Sequence, residues 1–201
     1  MLYFKEVTIP KYKESGKEEF GIMPKNTQGN AMRDIFIKEF ENGDLEFLDK
    51  KGKPHILTKQ TQNDWINTFG LDNIEQNYIP AHTQEIKQAL KGREVHLSMG
   101  SLLKIVERQR EAYIPNVKQT IDNPDLIIQD ARDGILFVKK FNDNLIFTSV
   151  GADFETHITI ISNAPKNQRS IKSKIANSGK VLYQSPNLQS LVNPSFYRHT
   201  N

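Results

Sequence analysis

The chain has 201 residues, a hydrophobic fraction of 37%, a charged fraction of 25% and a net charge of +3. That length accommodates one large domain or two small ones, and the balance is that of a globular protein. There are no cysteines, which excludes disulfides, thiolate metal sites and cysteine nucleophiles. No apolar run approaches the roughly 18 residues of a membrane span, and MLYFKEVTIP is charged too early for a secretory signal, so the chain reads as cytoplasmic.

In chain order, Val7 and Ile9 alternate with polar neighbours and predict a short strand closed by Pro10. A turn at Thr27–Asn30 precedes Met32, Ile35, Phe36, Glu39 and Phe40, whose spacing is helical, with Asn30 as cap. In LEFLDKKGKPHIL two apolar runs flank Lys51-Gly52-Lys53-Pro54, which predicts a hairpin. Thr61 opens TQNDWINTFG, a helix that Gly70 stops, with Trp65 and Phe69 one turn apart. No catalytic motif occurs up to this point.

Near residue 84 a boundary is expected: Pro80 ends what precedes, and Thr83 caps a helix from Gln84 to Lys91, closed by Gly92. Glu94 to Leu97 suits a short strand. Ser98 then caps the strongest helix, SMGSLLKIVERQREAY, with Met99, Leu102, Leu103, Val106 and Tyr113 as its apolar stripe and Lys104, Glu107, Arg108 and Glu111 outward. Pro115 and Asn116 restart a helix that carries Val117 and Ile121, and Asn123-Pro124 ends it. LIIQ, GILFVKKF, LIFTSV and THITIIS follow with short connections, so a four-strand antiparallel meander is the economical arrangement. Residues 166–180 read as a basic loop, and KVLYQ as a closing strand. The expected fold is therefore α+β. Residues 85–185 pack N-terminal helices on a four-to-five-stranded antiparallel sheet. Residues 1–84 form a smaller mixed module of unassigned role, and 186–201 a tail.

Charge is unevenly placed. Residues 1–84 carry 11 basic and 13 acidic side chains, a net of −2; residues 85–201 carry 16 and 11, a net of +5. KNQRSIKSKIANSGK, residues 166–180, holds five cations and no acid. Such a field suits phosphate, since neutralising it releases counterions, although a solvated lysine-rich loop looks the same in sequence.

The pieces REVHLS, LLKIVERQREAY, IDNPDLIIQD, GILFVKKF, LIFTSV, THITIIS and IKSKIANSGKVLYQS follow one another in an order and spacing that resembles a family of phage and mobile-element nuclease domains. This phage-type family is similar in fold to barnase, EndoU, the tRNA-cutting colicins and RelE. The resemblance covers about residues 85–185 and rests on order and spacing. It implies an endoribonuclease that cuts RNA, with tRNA as one candidate substrate, by attack of the 2′-hydroxyl; the lack of paired carboxylates at a spacing suited to magnesium and the local excess of cations make it metal-independent in expectation. No cofactor is expected, the partners being RNA and an immunity or antitoxin protein. Two other classes stay open: a non-catalytic nucleic-acid- or protein-binding module, and a structural part of a phage head or injected protein.

Such chemistry needs a base for the 2′-hydroxyl, an acid for the leaving 5′-oxygen, and cations around the phosphorane. Lys139 and Lys140 are adjacent on a strand and so face opposite ways; one of them fits the family's strand lysine, while an edge charge against aggregation is the plain alternative. In THITIIS, alternation puts Ser162 with Ile158 and Ile160, and His157 and Thr159 on the other side. His157 titrates in the useful range but also suits an exposed strand position. Ser162 stands where the family usually has threonine, to bind phosphate or to cap the next loop. Arg108 and Arg110 end the main helix where the family more often has histidine; arginine clamps phosphate but is a poor base, and a surface row with Glu111 or Lys104 suits Arg108 equally. Lys172 and Lys174 would track the RNA backbone. One of the strand lysines, Ser162 and one of the two arginines are expected to share a cleft.

Overall fold

A computed structural model describes residues 35–130, 134–142, 145–154, 156–176, 179–186 and 188. The expected strand at Val7–Ile9 and the turn at Thr27–Asn30 lie outside these residues. The chain forms two compact units, Met1–Lys59 and Gln60–Asn201.

In the first unit, β1 (Phe36–Glu39), β2 (Leu45–Leu48) and β3 (Pro54–Leu57) form an antiparallel sheet in that order. The β2–β3 hairpin is the one expected, and Asp49 organises its turn. Its carboxylate accepts from the Lys51 and Lys53 amides at 2.8 and 2.9 Å and contacts the His55 ring at 3.1 Å. The Lys53 amide first, then His55, hold its pKa down at about 2. Of the helix expected through Met32–Phe40, Ile35 is helical, but Phe36–Glu39 is instead β1. Phe36 pairs with Phe47, and their rings meet edge-on at 6.4 Å, a long-range pairing that outweighs a short run of helical spacing.

The second unit begins at the second residue of α1 (Lys59–Phe69), a helix which Gly70 ends at φ +66. Trp65 and Phe69 meet at 4.5 Å, as their spacing predicts, and Phe69 continues onto Tyr78 at 5.0 Å. The Tyr78 hydroxyl donates to Asp122 at 2.7 Å and accepts from Lys118 at 2.7 Å. Four residues on, His82 lies over Phe137 and bonds the Ile121 carbonyl at 2.7 Å. Burial keeps this imidazole below its ordinary pKa, so it is neutral and its Nε2–H donates. The stretch between α1 and α2 (Gln84–Ala89) is thus fastened to α4 (Ile114–Asp122).

Between them lie β4 (Glu94–His96) and α3 (Met99–Glu107). The sequence predicted α3 as far as Tyr113. It stops at Glu107, Gln109 takes φ +54, and Glu111–Tyr113 forms a separate 3-10 turn leading into α4. The buried side of α3 is Ser101, Leu102, Ile105 and Val106, rotated from the expected stripe.

Four strands, β5 (Leu126–Gln129), β6 (Ile135–Lys140), β7 (Ile146–Asp153) and β8 (His157–Lys166), make the expected antiparallel meander. β9 (Lys180–Gln184) adds antiparallel to β5, and β4 adds parallel to β8. The sheet therefore has six strands in the order β4-β8-β7-β6-β5-β9 and is mixed. Residues directly opposite one another share a face, so the registers define two surfaces. The front carries Phe137, Phe147, Ser149 and Asn163, with α2, α3 and α4 packed over it. The back carries Leu126, Ile128, Leu136, Val138 and Ile146. They are covered by Ile171 and Ile175 of α5 (Gln168–Ala176), a helix where the sequence reading expected a basic loop.

Candidate functional site

The registers divide the charged and polar residues singled out from sequence. Lys139 is opposite Phe147 on the front; its Nζ donates to the Asn123 carbonyl at 2.7 Å and lies 3.8 Å from Asp125. Arg110 also belongs to the front, where its guanidinium donates to the Asn163 carbonyl at 2.6 Å. Arg108 is exposed at the end of α3, 3.4 Å from Glu107 rather than in a row with Glu111.

On the back lie Lys140, Ser162, Thr159 and His157. Lys140 is opposite Ile146, which is opposite Lys166, so this row is the far end of β8 from His157. Nine residue steps separate His157 from Lys166 in β8, roughly 30 Å of strand. Lys172 and Lys174 are exposed on α5, and Lys174 pairs with Asp130 at 3.7 Å.

Simple alternation put Ser162 on the opposite face from His157 and Thr159. The structure corrects this. Val150 pairs with Ser162 but Gly151 pairs with Ile160, so Ile161 is an extra residue and the bulge returns Ser162 to the back. Gly151 belongs at this point, because a Cβ there would come within 2.3 Å of Ile158 Cγ2. The sheet thus places His157, Thr159 and Ser162 on one face, with Ser162 five residue steps along β8 from His157, and leaves Lys139, Arg108 and Arg110 across it.

β4 completes the group. In its parallel register Glu94 is opposite His157 and His96 opposite Thr159, so all four side chains share the back. The His96 and His157 rings stack at 4.8 Å, 26° apart. Glu94 Oε2 lies 3.2 Å from His96 Nε2, and the Thr156 hydroxyl 3.0 Å from His157 Nδ1. Burial first, then the neighbouring His96, lower the His157 pKa, while Glu94 opposes them. A neutral imidazole is able to accept a proton at pH 7. Next to this group, Arg93 is ion-paired with Asp153, tying β4 to the end of β7.

Residues 64–184 match the family described as phage-Barnase-EndoU-ColicinE5/D-RelE like nuclease2. The chain belongs to this nuclease family. The match runs from within α1 to the end of β9, so the matched region contains the whole six-stranded sheet and α2 to α5. No curated protein and no solved structure matches the chain. Among the described residues, no helix is long and apolar enough to cross a membrane, and no group of three or more His, Asp or Glu side chains is placed to hold a metal ion.

His96 and Glu94 did not stand out in the sequence. They lie about sixty positions before His157, and only the parallel pairing of β4 with β8 makes them neighbours. The local signal was REVHLS itself, a strand with a histidine and a glutamate two apart and hence on one face.

Proposed function

We propose that the nuclease domain cuts RNA without a metal and that His157 and His96 make its proton transfers. The stacked pair of imidazoles beside Glu94 is the observation that carries this reading. His157, neutral at pH 7, takes the proton from the 2′-hydroxyl. The 2′-oxygen bonds to phosphorus and the bond from phosphorus to the 5′-oxygen breaks. His96, oriented by Glu94, gives that oxygen a proton, leaving a cyclic phosphate and a free 5′-hydroxyl. Thr159 offers its hydroxyl to the phosphate, and Ser162 meets the RNA backbone farther along the same face. Lys140, Lys172 and Lys174 supply the field that holds the RNA backbone. Lys139 and Arg110, engaged with backbone carbonyls, brace the front of the sheet.

The test is incubation of the full chain with total RNA and with DNA, each with and without EDTA. RNA is expected to be cut in EDTA and DNA to be left intact, since it has no 2′-hydroxyl. His157→Asn and His96→Asn should each slow cleavage by about 10²–10⁴-fold at unchanged circular dichroism. A magnesium requirement, equal cutting of DNA, or full activity in either variant overturns the proposal.

A further inference from the structure

Phe154 directly follows β7, and its amide donates to the His157 carbonyl at 2.9 Å, closing the β7–β8 hairpin. That pairing puts the two side chains directly across from each other. Their rings stack at 5.4 Å, 16° apart, and His157 stacks in turn on His96. β4 and β8 thus contribute one ring each and the residue after β7 a third, at separations close to the ~4.8 Å between strands. The row ends on a ring that solvent reaches: Phe154 is 37% exposed, one of few large apolar side chains in this state among the described residues.

From this geometry we infer that the row Phe154–His157–His96 is a stacking platform for an unpaired nucleobase, with Phe154 as the ring the base lies on. An aromatic face continuing a row of parallel rings accepts a flat π-system more readily than an aliphatic side chain, and every base offers one. The net charge of +5 over residues 85–201 suits a polyanion as the carrier of that base. A base on Phe154 sets its own sugar and phosphate beside His157, so the platform selects single-stranded substrate. This rests on the ribonuclease reading for its biological purpose but not for its test.

The probe is a short single-stranded oligodeoxynucleotide carrying 2-aminopurine, which has no 2′-hydroxyl and stays whole. The full chain should quench its fluorescence on binding. Phe154→Ala and Phe154→Leu should abolish the quench and weaken binding by roughly 5- to 150-fold, the range for loss of one stacked base, and Phe154→Trp should restore both. Leucine keeps apolar area without a ring and so separates stacking from apolar contact. Binding by Phe154→Ala or Phe154→Leu equal to that of the unaltered chain overturns the inference, as does absence of quench in the unaltered chain. A quench that depends on Phe154 in a protein that cuts no RNA would uphold the platform and remove the ribonuclease reading. RNA cleavage with no such quench would do the reverse.

Discussion

Gly151→Ala is the substitution whose outcome follows most directly from the packing. The new methyl would lie 2.3 Å from Ile158 Cγ2 and 3.7 Å from Ile160 Cδ1. Ile158 is fully buried and Ile160 nearly so, and neither side chain has a free end to swing away. Overpacking of a core by one methyl costs about 1–3 kcal/mol. Against this, alanine loses less conformational entropy than glycine on folding, worth roughly 0.5–1 kcal/mol. The clash wins, leaving a net loss of about 0.5–2 kcal/mol. Urea denaturation followed by tryptophan fluorescence reads this cleanly, since Trp65 is the chain's one tryptophan and is buried in the second unit. The midpoint should fall with the slope unchanged. Ile158→Leu removes the offending methyl, so Gly151→Ala combined with Ile158→Leu should be more stable than the sum of the single effects predicts. A midpoint for Gly151→Ala equal to or above that of the unaltered chain, or strict additivity in the double variant, would refute the argument and with it the close approach at the bulge.

Other outcomes are as specific. The folded His82 pKa lies below its ordinary 6.5, so the folded state binds fewer protons. Its contribution is therefore complete above about pH 6.5 and is lost as pH falls through the folded value. His82→Gln should flatten the decline in stability between neutral pH and about pH 5, with His157 supplying what slope remains; an unchanged slope would count against a buried neutral imidazole. Tyr78→Phe leaves the Lys118–Asp122 pair at 2.5 Å intact and removes two bonds to the hydroxyl, so about 1 kcal/mol should be lost in the same denaturation assay. If Lys140 contacts RNA phosphate, Lys140→Ala should lower the magnitude of the salt slope of RNA binding by about 0.7, the single-strand value per contact, whereas Lys139→Ala should leave that slope unchanged and reduce stability. A slope that responds to Lys139 instead would move the RNA to the front of the sheet.

Much of the fold was legible because its signals are local. The meander shows as apolar runs joined by turns too short for a crossover, the β2–β3 hairpin as Gly52 and Pro54 between two strands, and α2 as the cap at Thr83, whose hydroxyl does accept from the Ile86 amide at 3.4 Å. What stayed hidden depends on partners distant in sequence. α5 has only Ile171 and Ile175 as an apolar pair one turn apart among lysines, and its burial comes from strands already laid down. Its start at Asn167, whose side chain accepts from the Ser170 amide at 2.8 Å, is legible only in retrospect. β1 is a strand because Phe47 lies opposite Phe36. The site was legible at His157, Thr159 and Ser162 one residue at a time. Its shape was not, because one extra residue at Ile161 reverses the face of Ser162 and a parallel strand contributes His96.

The placement of α5 also governs the order in which the domain can be assembled. β8 and β9 lie on opposite sides of the meander, and α5 crosses the back face between them. A growing chain that has reached Lys166 has every strand from β4 to β8 but nothing over Leu126, Ile128, Leu136, Val138 and Ile146. At that stage β5 is still an open edge. The nascent protein therefore passes through an interval in which a greasy surface and an unpaired strand face solvent together, and the roughly twenty residues that follow end both exposures at once. Nonsense mutations or premature release in that window should yield a sticky fragment instead of a weakened domain.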